Sequence, residues 1–127
     1  MSIAFKSATP ILFVRDVTAA AQYYVDKLGF TRDFLHGDPP FYGSVSRGPA
    51  CLHLRHVHDP NFAELAAREG ELILATIEVS DVRALHEELA ARGAPIVEPV
   101  HSHEWGGTDF HVADPDGNRI SFVTFGG

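Results

Sequence analysis

The chain has 127 residues, 45% of them hydrophobic, and a formal net charge of -7. That length holds one domain with a real core, and the acidic balance argues against nucleic acid and anionic membranes as partners while leaving a cationic ligand open. The reading is of a cytoplasmic protein: no transmembrane run or signal peptide is in view, and the single cysteine, Cys51, rules out an intrachain disulfide framework and fits a reducing compartment.

Residues 3–8 are a short lead-in, and the apolar run that follows over 9–14 is short enough to be a buried strand. Asp16 then serves as a helix N-cap. Val17, Ala20, Ala21, Tyr24 and Leu28 recur behind it at helical spacing, and Gly29 stops the helix. Residues 30–35, 41–46 and 50–55 read as three strands, separated by the turn-rich stretches 37–40 and 47–49. Asp59 and Pro60 read as the N-cap and first residue of a short helix through Phe62 and Leu65, ended by Gly70. Residues 72–79 form another apolar strand. Asp81 caps a helix with Val82, Leu85 and Leu89 inward and Gly93 at its end, and strands over 96–100, 109–113 and 119–125 complete the set.

The halves repeat each other. Val14-Arg15-Asp16-Val17 is echoed by Val79-Ser80-Asp81-Val82, and Leu28-Gly29 by Arg92-Gly93. Each half therefore reads β-α-β-β-β, and the expected fold class is α+β. One domain spans 1–127, with module one at about 9–58, a linker helix at about 59–70 and module two at about 71–125. Two such modules side by side predict a curved mixed sheet with helices on its convex side and a concave cavity opposite.

Asp114-Pro115-Asp116-Gly117-Asn118 concentrates turn chemistry, and the alternating Phe110, Val112, Ile120 and Phe122 around it predict a β-hairpin. Strand alternation then sorts the polar residues by face. Cys51, His53 and Arg55 point away from Leu52 and Leu54, and Leu74, Thr76 and Glu78 away from Ala75, Ile77 and Val79. Asp109, His111, Arg119, Ser121 and Val123 share the same inner face by the same logic. The charged members of this set also read as solvated residues on an open sheet, whereas His53 and His111, flanked by apolar neighbours in mid-strand, favour the cavity.

On these residues the chain resembles the vicinal-oxygen-chelate superfamily, which includes glyoxalase I, fosfomycin-resistance proteins, extradiol dioxygenases and bleomycin-resistance proteins. The likeness covers residues 9–125 and rests on Val14-Arg15-Asp16, on Tyr23-Tyr24 with Leu28-Gly29-Phe30, and most specifically on the Asp114 to Asn118 turn. Phe41-Tyr42-Gly43 and Trp105-Gly106-Gly107 lean toward the bleomycin-resistance branch. The resemblance implies the glyoxalase/bleomycin-resistance fold and a homodimer, and it assigns Ile11 and Phe13 to the cavity. It also places the family's metal-ligand positions at Thr9, His53, Leu74 and Ser121. Only His53 is a good ligand there, so neither a metal nor another cofactor is expected. The bleomycin-resistance branch likewise lacks the metal and sequesters its ligand between subunits.

Other groupings stay open. His101 with His103, and His56 with His58, read as exposed pairs or as metal ligands, and a rearranged metal site of His53, His103 and His111 needs loop 101–107 to fold over the cavity. Cys51 beside His53 reads as small apolar filling rather than a nucleophile. Trp105 reads equally as a core lid or as a stacking surface for an aromatic or cationic group. The expected function is metal-independent binding and sequestration of a small molecule, a bleomycin-type antibiotic or aromatic metabolite. The expected ligand-binding residues are Phe13, Phe41, His53, Arg55, Trp105, His111 and Ser121, with no catalytic residue assigned. The alternative is a glyoxalase-like metal-dependent lyase, or a metal-free isomerase using His53 or His111 as general base.

Overall fold

A computed structural model describes residues 2–70 and 72–126. Module one runs β1 (Ile11–Val14), α1 (Val17–Leu28), β2 (Thr31–His36), β3 (Tyr42–Arg47) and β4 (Ala50–His56). After α2 (Phe62–Glu69), module two repeats the pattern as β5 (Ala75–Glu78), α3 (Val82–Ala91), β6 (Ile96–Ser102), β7 (Gly107–Ala113) and β8 (Arg119–Phe125). Each module makes a four-stranded sheet, with order β1-β4-β3-β2 in one and β5-β8-β7-β6 in the other. In each, the first strand pairs in parallel with the fourth and the hairpins pair antiparallel. Identical strand order in both halves is the structural form of the sequence repeat.

The helices begin alike for one reason. Asp16 Oδ1 accepts from the Ala19 amide and Asp81 Oδ1 from the Ala84 amide, each at 3.0 Å, satisfying a donor that the first helical turn leaves free. Gly29 ends α1 at φ 73°, a left-handed conformation that a side chain would strain. The α1 face of Val17, Ala20, Ala21, Tyr24 and Leu28 is buried, as its spacing predicts. The linker helix differs from expectation at its start. Asn61, not Asp59, is its N-cap and Phe62 its first residue, and no side-chain cap bond forms. With none of its residues buried, no packing pulls the helix back to Pro60.

One core spans both modules: Leu12, Val14, Tyr24, Leu28, Val45, Leu52 and Leu54 from the first, Leu89, Phe110, Val112, Ile120 and Phe122 from the second. No strand of one sheet pairs with a strand of the other among the described residues, so side chains and a turn hold the modules together. The Asp114 to Asn118 turn is the principal clamp. Asp114 Oδ1 accepts from the amides of Asp116 (2.9 Å) and Asn118 (2.8 Å), while Oδ2 accepts from Asn118 Nδ2 (2.9 Å) and Tyr24 Oη (3.0 Å). Asn118 Nδ2 also donates to the Phe13 carbonyl at 3.0 Å, and Asp116 Oδ1 accepts from the Arg15 amide at 3.0 Å. Gly117 turns at φ 83° with Ala63 against it, so a Cβ there meets both a strained backbone and the Ala63 side chain. Burial pushes the Asp114 carboxyl up despite the donors around it, and the Tyr24 hydroxyl is likewise pushed up by burial and by Asp114.

A hydrogen bond to a buried carboxylate stabilises by about 1.5–3 kcal/mol, against about 0.5–1.5 kcal/mol for one to a carbonyl. Tyr24→Phe is therefore expected to lower the unfolding free energy by about 1.5–3 kcal/mol. Tyr23→Phe, which loses only the 2.8 Å bond to the Ala113 carbonyl, should cost less. Urea unfolding of the two variants checks the order; equal losses would show that the turn is not the clamp.

Candidate functional site

In each sheet one face packs on the helices and core and the other carries the polar residues. On sheet one, Ile11 and Phe13 of β1 stand beside His53 and Arg55 of β4, with Tyr42 and Ser44 of β3 next in register. His53 Nδ1 and Tyr42 Oη lie 2.9 Å apart, and Phe34 meets the His53 ring edge-on with centroids at 6.1 Å. A bulge between Arg32 and Phe34 brings Asp33 onto this face as well, where its carboxylate accepts from Ser44 Oγ (2.9 Å) and Ser46 Oγ (2.8 Å). Phe13 and Phe41 are half exposed. Phe41 and Arg55 line a hollow of about 420 Å³ with His56, Val57 and His58, at the edge of this face.

Sheet two carries a tighter arrangement. Register places His111 opposite Ser121 and Asp109 opposite Val123, and all four are buried. Two register shifts along β6 bring His101 opposite Asp109. The chain then turns sharply, with the His103 amide bonded to the Gly107 carbonyl at 2.8 Å. Asp109 thereby sits between two imidazoles, with His103 Nε2 at 2.7 Å from Oδ1 and His111 Nε2 at 3.3 Å from Oδ2. Burial works to raise the Asp109 carboxyl, but the bonds from His103 and His111 outweigh it and hold the group below the usual carboxylate range. An ionised carboxylate only accepts, so each Nε2 carries a hydrogen.

Trp105 lies flat on His103, ring centroids 4.7 Å apart and planes 11° from parallel, with Phe125 on its other flank at 5.9 Å. A Cβ at Gly107 would collide with the indole, so glycine there is what lets the ring lie down. Trp105 stays 60% exposed. The ring is seated on His103, whose other side is bonded to Asp109, and is not buried over the core.

The expected residues thus fall into two groups. Phe13, His53 and Arg55 stand on sheet one, with Phe41 just before β3; His111 and Ser121 stand on sheet two, with Trp105 in the β6–β7 turn. Sequence reasoning missed Tyr42 and Phe34 as partners of His53, and Asp109 as the group joining His103 to His111. The alternation that placed Asp109 on the inner face was the available signal for the last; the bulges in β2 and β6 had none. A groove of about 1160 Å³ lies apart from both groups, between the β3–β4 turn, β5 and α3, and none of the expected ligand-binding residues lines it.

The family's metal positions do not suit a metal here. Leu74 has no donor atom, Thr9 and Ser121 offer neutral hydroxyls, and His53 has Nδ1 engaged by Tyr42. Nor do three His, Cys, Asp or Glu side chains come together to hold a metal ion among the described residues. The rearranged set of His53, His103 and His111 is divided between the two sheets.

The lowered Asp109 carboxyl has a consequence for stability. Its contribution is fully present above the unfolded carboxylate value of about 4 and is lost as pH falls through the folded value, because the unfolded chain takes up the proton first. Asp109→Asn should destabilise the protein at neutral pH and flatten the acid limb of its stability curve. Urea unfolding across pH tests this, and a variant curve parallel to the wild type would contradict it.

The chain is similar over 99% of its length, and 99% of the other chain, to the bleomycin-binding protein from bleomycin-producing Streptomyces verticillus complexed with copper(II)-bleomycin, at 33% identity and a TM-score of 0.77. A bleomycin resistance determinant encoded on the transposon Tn5 matches at 21% identity and a TM-score of 0.74, covering 95% of this chain and 98% of that one. A glyoxalase-related enzyme from Clostridium phytofermentans shares the fold at 17% identity and a TM-score of 0.75, with 97% of each chain covered. No match was found among curated protein sequences. The family model spanning residues 6–122, taken with the repeated β-α-β-β-β modules, shows that the chain belongs to the Glyoxalase/Bleomycin resistance protein/Dioxygenase superfamily.

Proposed function

We propose that this protein binds and sequesters a small, partly aromatic, cationic molecule of the bleomycin type in the cytoplasm, without a metal of its own. The observation that carries this reading is the exposed Trp105 ring seated flat on His103, in a chain 33% identical along its length to a bleomycin-binding protein. An exposed indole backed by a hydrogen-bonded imidazole offers one free π-face, which suits an aromatic or cationic group of a ligand. The net charge of -7 favours a cationic guest at long range.

The separation of the proposed ligand-binding residues into two groups favours an assembly. Phe13 and His53 sit on one sheet, Trp105 and His111 on the other, and within one chain they form separate groups. A homodimer in which the sheet-one face of one chain meets the sheet-two face of its partner would enclose a cavity between them. It would also cover apolar residues that a lone chain leaves in water: Ile3, Phe5, Ile11, Phe13 and Phe34 are all exposed, Phe5 fully.

A second reading has one observation in its favour. Asp109 orients His111 as a carboxylate orients a general base, which suits a metal-free isomerase. One titration separates the two. Trp105 is the chain's only tryptophan, so its fluorescence reports the site directly. Bleomycin is expected to quench it saturably and to be recovered chemically unchanged. Trp105→Ala should weaken binding about tenfold by calorimetry, the equivalent of about 1.4 kcal/mol of stacking. Turnover of an aromatic metabolite that disappears in His111→Ala would overturn the binding reading.

The assembly has its own check. Sedimentation at micromolar concentration is expected to give twice the 13.9 kDa chain mass. A stable monomer would count against a site shared between chains.

A further inference from the structure

One face of the Trp105 ring lies against a group that can change its charge. The His103 imidazole is stacked on the indole with centroids 4.7 Å apart and planes 11° from parallel. Its Nε2 donates to Asp109 Oδ1 at 2.7 Å. Its Nδ1 has no hydrogen-bond partner among the described residues, and 30% of the side chain is open to water. A histidine takes up its second proton at about pH 6.5 when nothing perturbs it. At His103 that proton enters from water at Nδ1 and leaves the bond to Asp109 in place. The groups facing His103 come from three elements. Asp109 of β7 bonds it, and its lowered carboxyl stays ionised through this range, with His111 at 3.3 Å on the other oxygen. His101 of β6 stands nearly perpendicular to it, centroids 4.6 Å apart, and Glu104 is its exposed neighbour in the turn. Phe125 of β8 flanks Trp105 and carries no charge.

The charge of His103 is felt on the far side of the indole. A neutral imidazole with an ionised carboxylate behind it leaves the negative π-face of the ring available to a cation. An imidazolium in the same place draws on that quadrupole from beneath. It also repels a cation stacked on the opposite face, about 8–10 Å away, which is within the screening length at physiological salt. A neutral aromatic guest feels neither effect to first order. We propose that His103 is the specificity-determining residue beneath Trp105: neutral, it admits a cationic aromatic guest, and protonated, it turns that guest away while still admitting an uncharged one. The proposal rests on the reading of Trp105 as a ligand-stacking surface, and adds which charge of guest it accepts and under what condition. The sign follows by linkage. Affinity for a cation falls as pH drops through the histidine range, and a bound cation lowers the proton affinity of His103 by the same factor.

Two probes whose own charge does not change with pH make the test: N-methylquinolinium, a fixed cation, and 2-naphthalenemethanol, which is neutral. Calorimetry on the whole chain at low salt, from about pH 8 to about pH 5.5, brackets the histidine range. N-methylquinolinium is expected to bind about three- to tenfold more weakly at the acid end, and 2-naphthalenemethanol equally well at both. His103→Gln should flatten the pH dependence of the cation, and His101→Gln should keep it. Because His103→Gln also alters the seat of Trp105, an NMR titration of His103 in the unaltered protein gives a second readout. Its midpoint should fall by about 0.5–1 pH unit with N-methylquinolinium bound, the same three- to tenfold factor. An unmoved midpoint, a slope that persists in His103→Gln, or a slope lost in His101→Gln would each overturn the assignment. Binding of both probes without pH dependence sinks this proposal and leaves the stacking reading standing. Binding of neither probe at any pH sinks both.

Discussion

The carboxylate of Asp114 is the contact on which the architecture depends. Among the described residues the two four-stranded sheets share no strand pair and no backbone ladder, so their relative placement rests on side chains. Asp114 collects two backbone amides of its own turn, the Asn118 amide group and the Tyr24 hydroxyl of module one. Each of these donors would cost free energy if left unpaired in the core. The turn thereby closes a hairpin and joins the modules through one group, and its burial makes the arrangement intolerant of alternatives.

The equivalent junction at the other end is looser. There the β3–β4 turn of module one approaches α3, with Arg47 bonded twice to Glu88, at 2.9 and 2.8 Å, while Lys27 Nζ donates to the Arg92 carbonyl and Arg92 to the Asp26 carbonyl at 3.2 and 3.3 Å. Arg47 and Glu88 are both partly exposed, so solvent screens that pair and its stabilisation is modest. A groove of about 1160 Å³ remains beside it. The internal repeat is therefore symmetric in topology and asymmetric in how its two junctions are sealed.

The same asymmetry appears on the open faces. Sheet one presents half-exposed aromatics around His53, whereas sheet two buries an ionised carboxylate between two histidines and seats a tryptophan on one of them. Asp109 organises the second face as Asp114 organises the junction: a carboxylate with converging donors holds side chains in fixed orientations. Preorganisation of that kind would lower the conformational cost of the binding proposed for this face, since His103, His111 and Trp105 would not have to be ordered by a guest.

Much of this was legible in the residues. Alternation and helical spacing located both modules, the α1 inner face and the hairpin turn, because those patterns report local periodicity and burial on one side. The Asp-Pro-Asp-Gly-Asn turn was readable because its geometry is encoded within five consecutive residues. The linker helix start was misplaced by two residues, since Asp59-Pro60 is a local signal that no tertiary packing reinforces. What only the tertiary structure decided lies between strands. The bulges that turn Asp33 onto the His53 face and bring His103 to Asp109 depend on how one strand pairs with its neighbour. The division of the expected site between two sheets depends on what surrounds each side chain in space, and spacing along a chain carries no record of that.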